Sequence, residues 1–361
     1  MMERPAAFAV AEAAPFEDRL VAALGHGAVM LMVSVGYRTG LFDAMAGAGP
    51  VTSSTLASRA GLHERYVREW LGAMAASHVV SVDDEARFTL PDEHAAWLTR
   101  AAGPANLSVL AQYIGVLGAV EDDIVACFRN GGGVPYERFG RFHEVMADDS
   151  GMSVLPALNE DGILGLVPGL ADRLRRGVRV LDVGCGRGRA LLALAEEFPA
   201  SRFDGIDLST EAIEWARTEA AARGMHNVSF DVRDATDFDI TAPDAAYDVV
   251  FTFDAVHDQA RPLAVLKGIR RAIRSDGVYI MQDIHGSSHV HENVGSPLAA
   301  LLYTVSCMHC MTVSLAQGGD GLGAMWGRQK ALEMLGQAGF GDVDIRRLPH
   351  DIQNDFYIVR P

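Results

Sequence analysis

Cysteine, basic residues and long apolar runs are all scarce in this chain. Its four cysteines, Cys127, Cys185, Cys307 and Cys310, are too few for a disulfide framework, so the thiols read as reduced and the protein as cytoplasmic. Lys and Arg number 31 against 47 Asp and Glu, a formal net charge of −16. That balance argues against a nucleic-acid partner, because such binding rests on neutralising phosphates with Lys and Arg. The most apolar early run, Val21 to Val35, carries His26 and is too short to span a bilayer, so no membrane partner is expected. The N-terminus is Ala-rich but broken by Glu3, Pro5, Glu12 and Pro15, and it lacks the basic region of a signal peptide. No internal repeat and no P-loop is present. What remains is an ordinary globular composition, 49% hydrophobic and 22% charged over 361 residues, long enough for two domains.

The stretch from Val178 to Gly188, Val-Arg-Val-Leu-Asp-Val-Gly-Cys-Gly-Arg-Gly, organises the rest. An apolar run ends in Asp182, glycines follow at 184, 186 and 188, and a helix-like segment begins at Ala190. Buried strand, glycine turn and helix in that order make a loop that lets a ligand approach the backbone closely. The dinucleotide fingerprint G-x-G-x-x-G does not fit, since its third glycine would fall on Arg189. A second strand, Phe203 to Asp207, also ends in an acid, at the place where carboxylates pair with ribose hydroxyls. A third, Val228–Val232, is followed by Arg233-Asp234-Ala235-Thr236, and a fourth spans Tyr247–Phe253. Three successive strand ends therefore each carry an acid and no phosphate-seeking lysine.

The spacing D-x-G-x-G-x-G closely resembles the first motif of class I S-adenosylmethionine (SAM) methyltransferases. The resemblance implies SAM as cofactor, held by Asp182, Gly184, Cys185, Gly186, Asp207, Leu208, Asp234, Ala235 and Phe253. SAM carries a sulfonium and an ammonium and no pyrophosphate, so acids beside the loop suit it. The segment Asp254-Ala255-Val256-His257-Asp258 resembles the "HDW" element of the small-molecule O-methyltransferases, with Gln259 where that family often has Trp. By that match His257 is the general base and Asp283, at the end of the fifth strand, is the carboxylate that orients it. The family's further glutamate falls near Arg328 here, a departure from the pattern.

Ahead of this domain, Phe16 to Met45 reads as one or two amphipathic helices, with Leu20, Leu24, Val29, Met30, Val33 and Leu41 at helical spacing. Thr55–Ala60, a Gly61 turn, a helix from His63 to His78 and a hairpin (Val79–Val82, Arg87–Leu90) then spell a winged helix-turn-helix. Arg65 and Arg68 are offset by Glu64 and Glu69, and the wing tip Asp83-Asp84-Glu85 is acidic, so DNA readout is disfavoured. A homodimer through this domain is expected instead, as the resembling O-methyltransferases imply.

The expected architecture is α/β: a seven-stranded Rossmann-like SAM methyltransferase domain behind an all-α, winged-helix domain. Its parts are a winged-helix dimerisation domain at 1–100, a helical linker and acceptor-site roof at 101–175, and the SAM-binding domain at 176–361. In the linker Ala105–Phe128 reads as one helix, and Gln112, Tyr113, Tyr136, Phe142 and His143 are candidates for the roof. Ser296–Leu315 reads as a helix whose Cys307 and Cys310 share a face. Those two cysteines, with Tyr113, Tyr136, His285, His350 and Asn354, are the candidate acceptor contacts; His289 and His291 read as polar loop, and no metal site is expected. The function expected is methyl transfer from SAM to a hydroxyl or thiol of a small molecule. Two alternatives stand beside it: a thiol or metalloid S-methyltransferase using Cys307 and Cys310, and a SAM-responsive winged-helix transcriptional regulator.

Overall fold

The computed structural model describes residues 14–361, so Glu3, Pro5 and Glu12 of the N-terminal reading lie outside the described residues. Packing divides the chain into two compact units, one running to Gly118 and one from Ala119 to Pro361. The segment 101–175 contributes to both.

In the first unit, helix Phe16–Thr39 stops at Gly40, whose left-handed φ of 73° lets its amide reach the Gly36 and Tyr37 carbonyls. Leu41–Met45 follows. Ser53–Ala60 is started by Thr52, whose hydroxyl accepts from the Thr55 amide, and after Gly61 comes Glu64–Ala76. The wing is a minimal antiparallel pair, β1 (Ser81–Val82) and β2 (Phe88–Thr89). Phe42, Leu56, Leu71 and Met74 are fully buried at the centre. The Phe42 and Trp70 rings meet edge to face at 5.1 Å, and Trp70 Nε1 donates to the Met32 carbonyl at 2.8 Å. The two arginines of Glu64–Ala76 are spent within their own helix, Arg65 on Glu69 and Arg68 on Glu64.

The sequence pattern implies one helix over Ala105–Phe128, but the structure breaks it into Ala111–Gly118 and Glu121–Asn130. Glu121, Asp122 and Asp123 open the second piece, where three acids favour a new helix N-terminus. The run Val21–Val35 lies inside helix Phe16–Thr39, within the Phe16–Met45 stretch expected to be helical. Phe16–Thr39 and Ala299–Ala316 are both long and apolar enough to cross a bilayer by length and composition.

The second unit holds seven strands: β3 (Arg179–Val183), β4 (Arg202–Asp207), β5 (Val228–Val232), β6 (Tyr247–Phe253), β7 (Ile273–Ile284), β8 (Asp342–Arg346) and β9 (Asn354–Arg360). Their order is β5-β4-β3-β6-β7-β9-β8. The first five run parallel, and β9 is antiparallel to both β7 and β8. Successive residues alternate between two cores, Val180 joining Phe203, Phe251 and Ile280 on one face and Leu181 joining Val250, Tyr279 and Trp326 on the other. Burial on both faces explains why the β3 sequence is a near-continuous apolar run. Strand order reverses between β3 and β6, which opens a crevice at their carboxyl ends.

The helix expected at Ser296–Leu315 is present, with a π turn, Ser306–Cys310, inside it. The wider turn sets Cys307 and Cys310 farther apart around the axis than α-helical spacing implies, and only Cys310 is buried. Beyond the turn, the Thr312 hydroxyl accepts from the Val134 amide at 2.8 Å.

Gly36 gives this packing a test. Helix propensity alone favours Ala there by about 1 kcal/mol. A Cβ would stand 2.6 Å from ring atoms of both Phe42 and Trp70, so Gly36→Ala is expected to destabilise the first unit by about 1–3 kcal/mol. Urea denaturation checks this, and an unchanged or raised midpoint would refute it.

Candidate active site

The loop after β3 is fixed from below. The Gly184 and Cys185 amides both donate to the Ile206 carbonyl, at 2.8 and 3.1 Å. The Gly186 amide donates to Asp207 Oδ2 and the Ser209 amide to Asp207 Oδ1, each at 2.8 Å. One carboxylate thus ties the glycine loop to the end of β4 and the start of helix Thr210–Ala222. Gly186 has φ of 53° and open space where a Cβ would stand. At Gly184, φ 77°, a Cβ would meet that of Ala255 at 2.5 Å. Only glycine satisfies both the backbone and the space.

These residues face a cavity of about 680 Å³ in the second unit. Asp182, Gly184, Cys185, Gly186, Asp207, Leu208, Asp234, Ala235, Phe253 and Tyr136 all line it, so the structure gathers every expected cofactor residue and one acceptor candidate. Asp182 is buried, and its Oδ1 has no hydrogen-bond partner among the described residues. Burial, with Asp207 nearby, pushes its carboxyl up to about 8. Burial likewise raises Asp207, against the two backbone amides that favour its charged form. Asp234 accepts from the Thr236 amide at 2.8 Å. Arg187, Arg189 and Arg233 also line it, each engaged by a neighbour: Arg187 pairs with Glu211 at 2.6 Å, Arg189 Nη1 donates to the Ala147 carbonyl, and Arg233 Nη2 donates to the Thr241 hydroxyl at 2.7 Å.

One wall of the cavity is aromatic. Tyr136 stacks on His143 at 4.7 Å, and both line it together with Phe139 and Phe142. Behind them His309 is buried against Phe142, with neither ring nitrogen partnered among the described residues.

The expected catalytic pair is placed differently. His257 Nδ1 lies 2.8 Å from Asp283 Oδ1. Asp283 is fully buried, and the same oxygen accepts from Trp326 Nε1 at 2.8 Å. Burial opposes a charged His257, yet Asp283 and then the Cys310 thiol carry its pKa well above the ordinary value. Neither residue is among those that line the cavity, although His257 stands between Ala255 and Asp258, which do. Cys310 belongs to this buried group, whereas Cys307 is half-buried and does not line the cavity. Asn354 is buried, its Nδ2 donating to Asp351 at 3.1 Å and lying 3.4 Å from Asp254. His350 is exposed. His285 instead bonds Asp355 at 3.0 Å, as does Arg328 at 2.9 Å. The basic residue at the family's glutamate position is thus paired with an acid from β9. Tyr113 belongs to the first unit.

Sequence reasoning passed over Asp254 and Asp258, which both line the cavity. Asp254 holds a left-handed φ of 50° and accepts from Gln282 Nε2 at 2.9 Å. Their signal was adjacency, since each brackets the segment that carries His257. Among the described residues no group of three His, Cys, Asp or Glu is arranged to hold a metal ion.

Residues 27–100 match the Rv2258c-like winged HTH domain, and residues 174–339 match a methyltransferase domain. Aklanonic acid methyltransferase DauC from Streptomyces sp. (strain C5) is 41% identical over 98 residues, 25% of this chain and 44% of that protein. Ajmaline N-methyltransferase from Rauvolfia serpentina is 34% identical over 116 residues, 32% of this chain and 39% of that protein. The chain thus spans less than half the length of these curated relatives. Solved structures are similar over almost the whole chain. The mitomycin 7-O-methyltransferase MmcR superposes with a TM-score of 0.66 at 19% identity, covering 99% of each chain. Human N-acetylserotonin methyltransferase in complex with SAM gives 0.67 at 16% identity, covering 96% of this chain and 98% of that one. The chain thus carries a winged helix-turn-helix domain followed by a methyltransferase domain, in a fold shared with solved two-domain methyltransferases.

Proposed function

We propose that the cavity at the β3–β6 switch point binds SAM and that the protein transfers its methyl group to a hydroxyl or thiol of a small molecule. The observation that carries this reading is Asp182, a buried acid with an unpartnered oxygen, in the same cavity lining as Gly186, whose Cβ position is open. Such an acid is costly unless a cationic ligand meets it. SAM, when bound, supplies an electrophilic methyl carbon on a positively charged sulfur. Asp207, already oriented by two amides, suits a ribose diol; Asp234 and Ala235 suit the base; Phe253 and Tyr136 exclude water. The protein's work is alignment and desolvation of the acceptor, together with removal of its proton. His257 is expected for that last task from the sequence, and Asp258 is the acid beside it that faces the cavity.

The first unit is assigned as the homodimer contact. Phe16, Leu20 and Leu24 form an i, i+4 stripe that is 66%, 59% and 77% exposed, more apolar surface in one line than a monomer keeps without purpose. The arginines of the second helix of the winged motif are already paired, which supports this reading over DNA binding.

Calorimetry is expected to show SAM and its demethylated product binding while a dinucleotide gives no heat. Asp182→Asn should weaken SAM about 10-fold or more, the loss of a charge-assisted hydrogen bond. The wild-type advantage should widen as pH rises toward about 8 and level off above it, once Asp182 of the free protein is ionised. The ligand-free protein carries the opposite slope. Its folded state keeps a proton on Asp182 that the unfolded state releases above about 4, so stability falls from about pH 4 to about 8, and Asp182→Asn flattens that fall. A variant with wild-type affinity at every pH would remove Asp182 from the site.

Leu20→Glu with Leu24→Glu should convert a dimer to a monomer in sedimentation velocity. A wild-type monomer at micromolar concentration, sedimentation with anionic vesicles, or DNA retention that weakens steeply with salt would each contradict the dimer assignment.

A further inference from the structure

The two buried tryptophans of this chain spend their indole N–H groups differently. Trp70 donates to a backbone carbonyl. Trp326 donates to Asp283 Oδ1 at 2.8 Å, the same oxygen that takes His257 Nδ1 at 2.8 Å and the Ile284 amide at 2.9 Å. The other oxygen, Oδ2, is buried with no partner among the described residues. The hydrogen bonds to this carboxylate therefore converge on one atom, which three donors share. A carboxylate at Nδ1 keeps a neutral imidazole's proton on that nitrogen and leaves the lone pair on Nε2.

The chain around Trp326 is pinned to the loops that carry His257 and Asp283. The Gly323 amide donates to the His257 carbonyl at 3.0 Å, and the Asp320 amide to the Ala260 carbonyl at 2.9 Å. On the other side the Ser288 hydroxyl donates to the Trp326 carbonyl at 2.6 Å, and the Arg328 amide to the Gly286 carbonyl at 2.9 Å. Gly327, with φ of 76°, passes so close that a Cβ there would stand 2.1 Å from the Ser288 amide nitrogen. The aim of the indole is thus set from both ends.

We propose that Trp326 is a positioning residue that limits the strength of His257 as a base, by holding a share of the carboxylate oxygen to which the imidazole is bound. This rests on the methyltransferase reading, with His257 as the base. The positive end of the indole N–H dipole points at Asp283 Oδ1, where it opposes a positive charge on the adjacent ring. The groups that act on His257 are Asp283 from β7, Cys310 from the π turn, Asp254 and Asp258 from its own loop, and His309. Burial disfavours the charged ring, but Asp283 and then Cys310 outweigh burial. An imidazole with Asp283 Oδ1 less shared would hold its proton to still higher pH, and a ring already protonated has no lone pair to offer an acceptor.

The test needs no knowledge of the natural acceptor. Calorimetry with S-adenosylhomocysteine comes first, and no binding there removes the SAM reading and this inference with it. In that complex NMR follows the histidine ring signals against pH, with His257→Gln identifying the one that belongs to His257. Trp326→Phe should raise the His257 pKa by about 0.5–1 unit, so that less of the ring is neutral at a given pH. A ring that had merely lost its support would shift the opposite way, toward the ordinary value. β-(3-Benzothienyl)alanine placed at 326 keeps the bicyclic shape without the N–H; it should give the same rise, and it decides the matter if Trp326→Phe fails to fold. With Asp283→Asn in place, neither change should move the remaining titration. An unchanged or lowered pKa with the benzothienyl side chain, a rise that persists undiminished with Asp283→Asn, or a neutral wild-type ring protonated on Nε2 would each overturn the assignment.

Discussion

Carboxylates in the crevice at the carboxyl edge of the sheet are the constraint on which this molecule depends. Asp182, Asp207, Asp254 and Asp258 all line one cavity, and the nearby guanidinium of Arg187 is drawn off to Glu211. A sheet built only for stability would not gather unneutralised acids in a low-dielectric cleft, because each raises the cost of ionising the next. The fold tolerates them by distributing the charge onto backbone amides, as at Asp207, or by leaving the proton on, as at Asp182. Both solutions leave a cleft that favours a cation.

Behind that cleft lies a second, quite different arrangement. His257, Trp326 and the Ile284 amide all meet one oxygen of Asp283 inside an apolar interior, with buried Cys310 nearby. Shared hydrogen bonds of this kind favour one geometry of the groups that make them. Their place in the fold fixes the turn of chain that ends in Asp258, and so determines which side chain reaches the cavity. Asp254 adds to this, since its strained φ of 50° is held by Gln282 from the neighbouring strand.

Much of this was legible in the residues. The Val-Arg-Val-Leu-Asp-Val run, its glycines and the acids at 207 and 234 announced residues that the structure brings to one cavity, because strand, turn and helix each leave a local mark. The opposite wall left no such mark. Whether His257 or Asp258 faces the cavity depends on the turn of one loop, and Cys310 joins His257 only because a distant helix packs there. Periodicity could not reveal the break at Ala119–Val120 either, since apolar residues continue across it and only the acids at 121–123 announce a new start. Nor could it reveal a π turn, which keeps a helix's composition while changing its phase.

That change of phase has a geometric consequence. The π turn at Ser306–Cys310 places one residue more in the helix than an α-turn would hold. Excising a single residue there would let the helix rewind and rotate everything C-terminal to it by about 100° about its axis. Val313 and Gln317 would swing out of the cavity lining, and Thr312 would lose the Val134 amide. The extra residue therefore acts as the phase setting of this cavity wall, so the length of this helix shapes the cavity as much as any side chain on it.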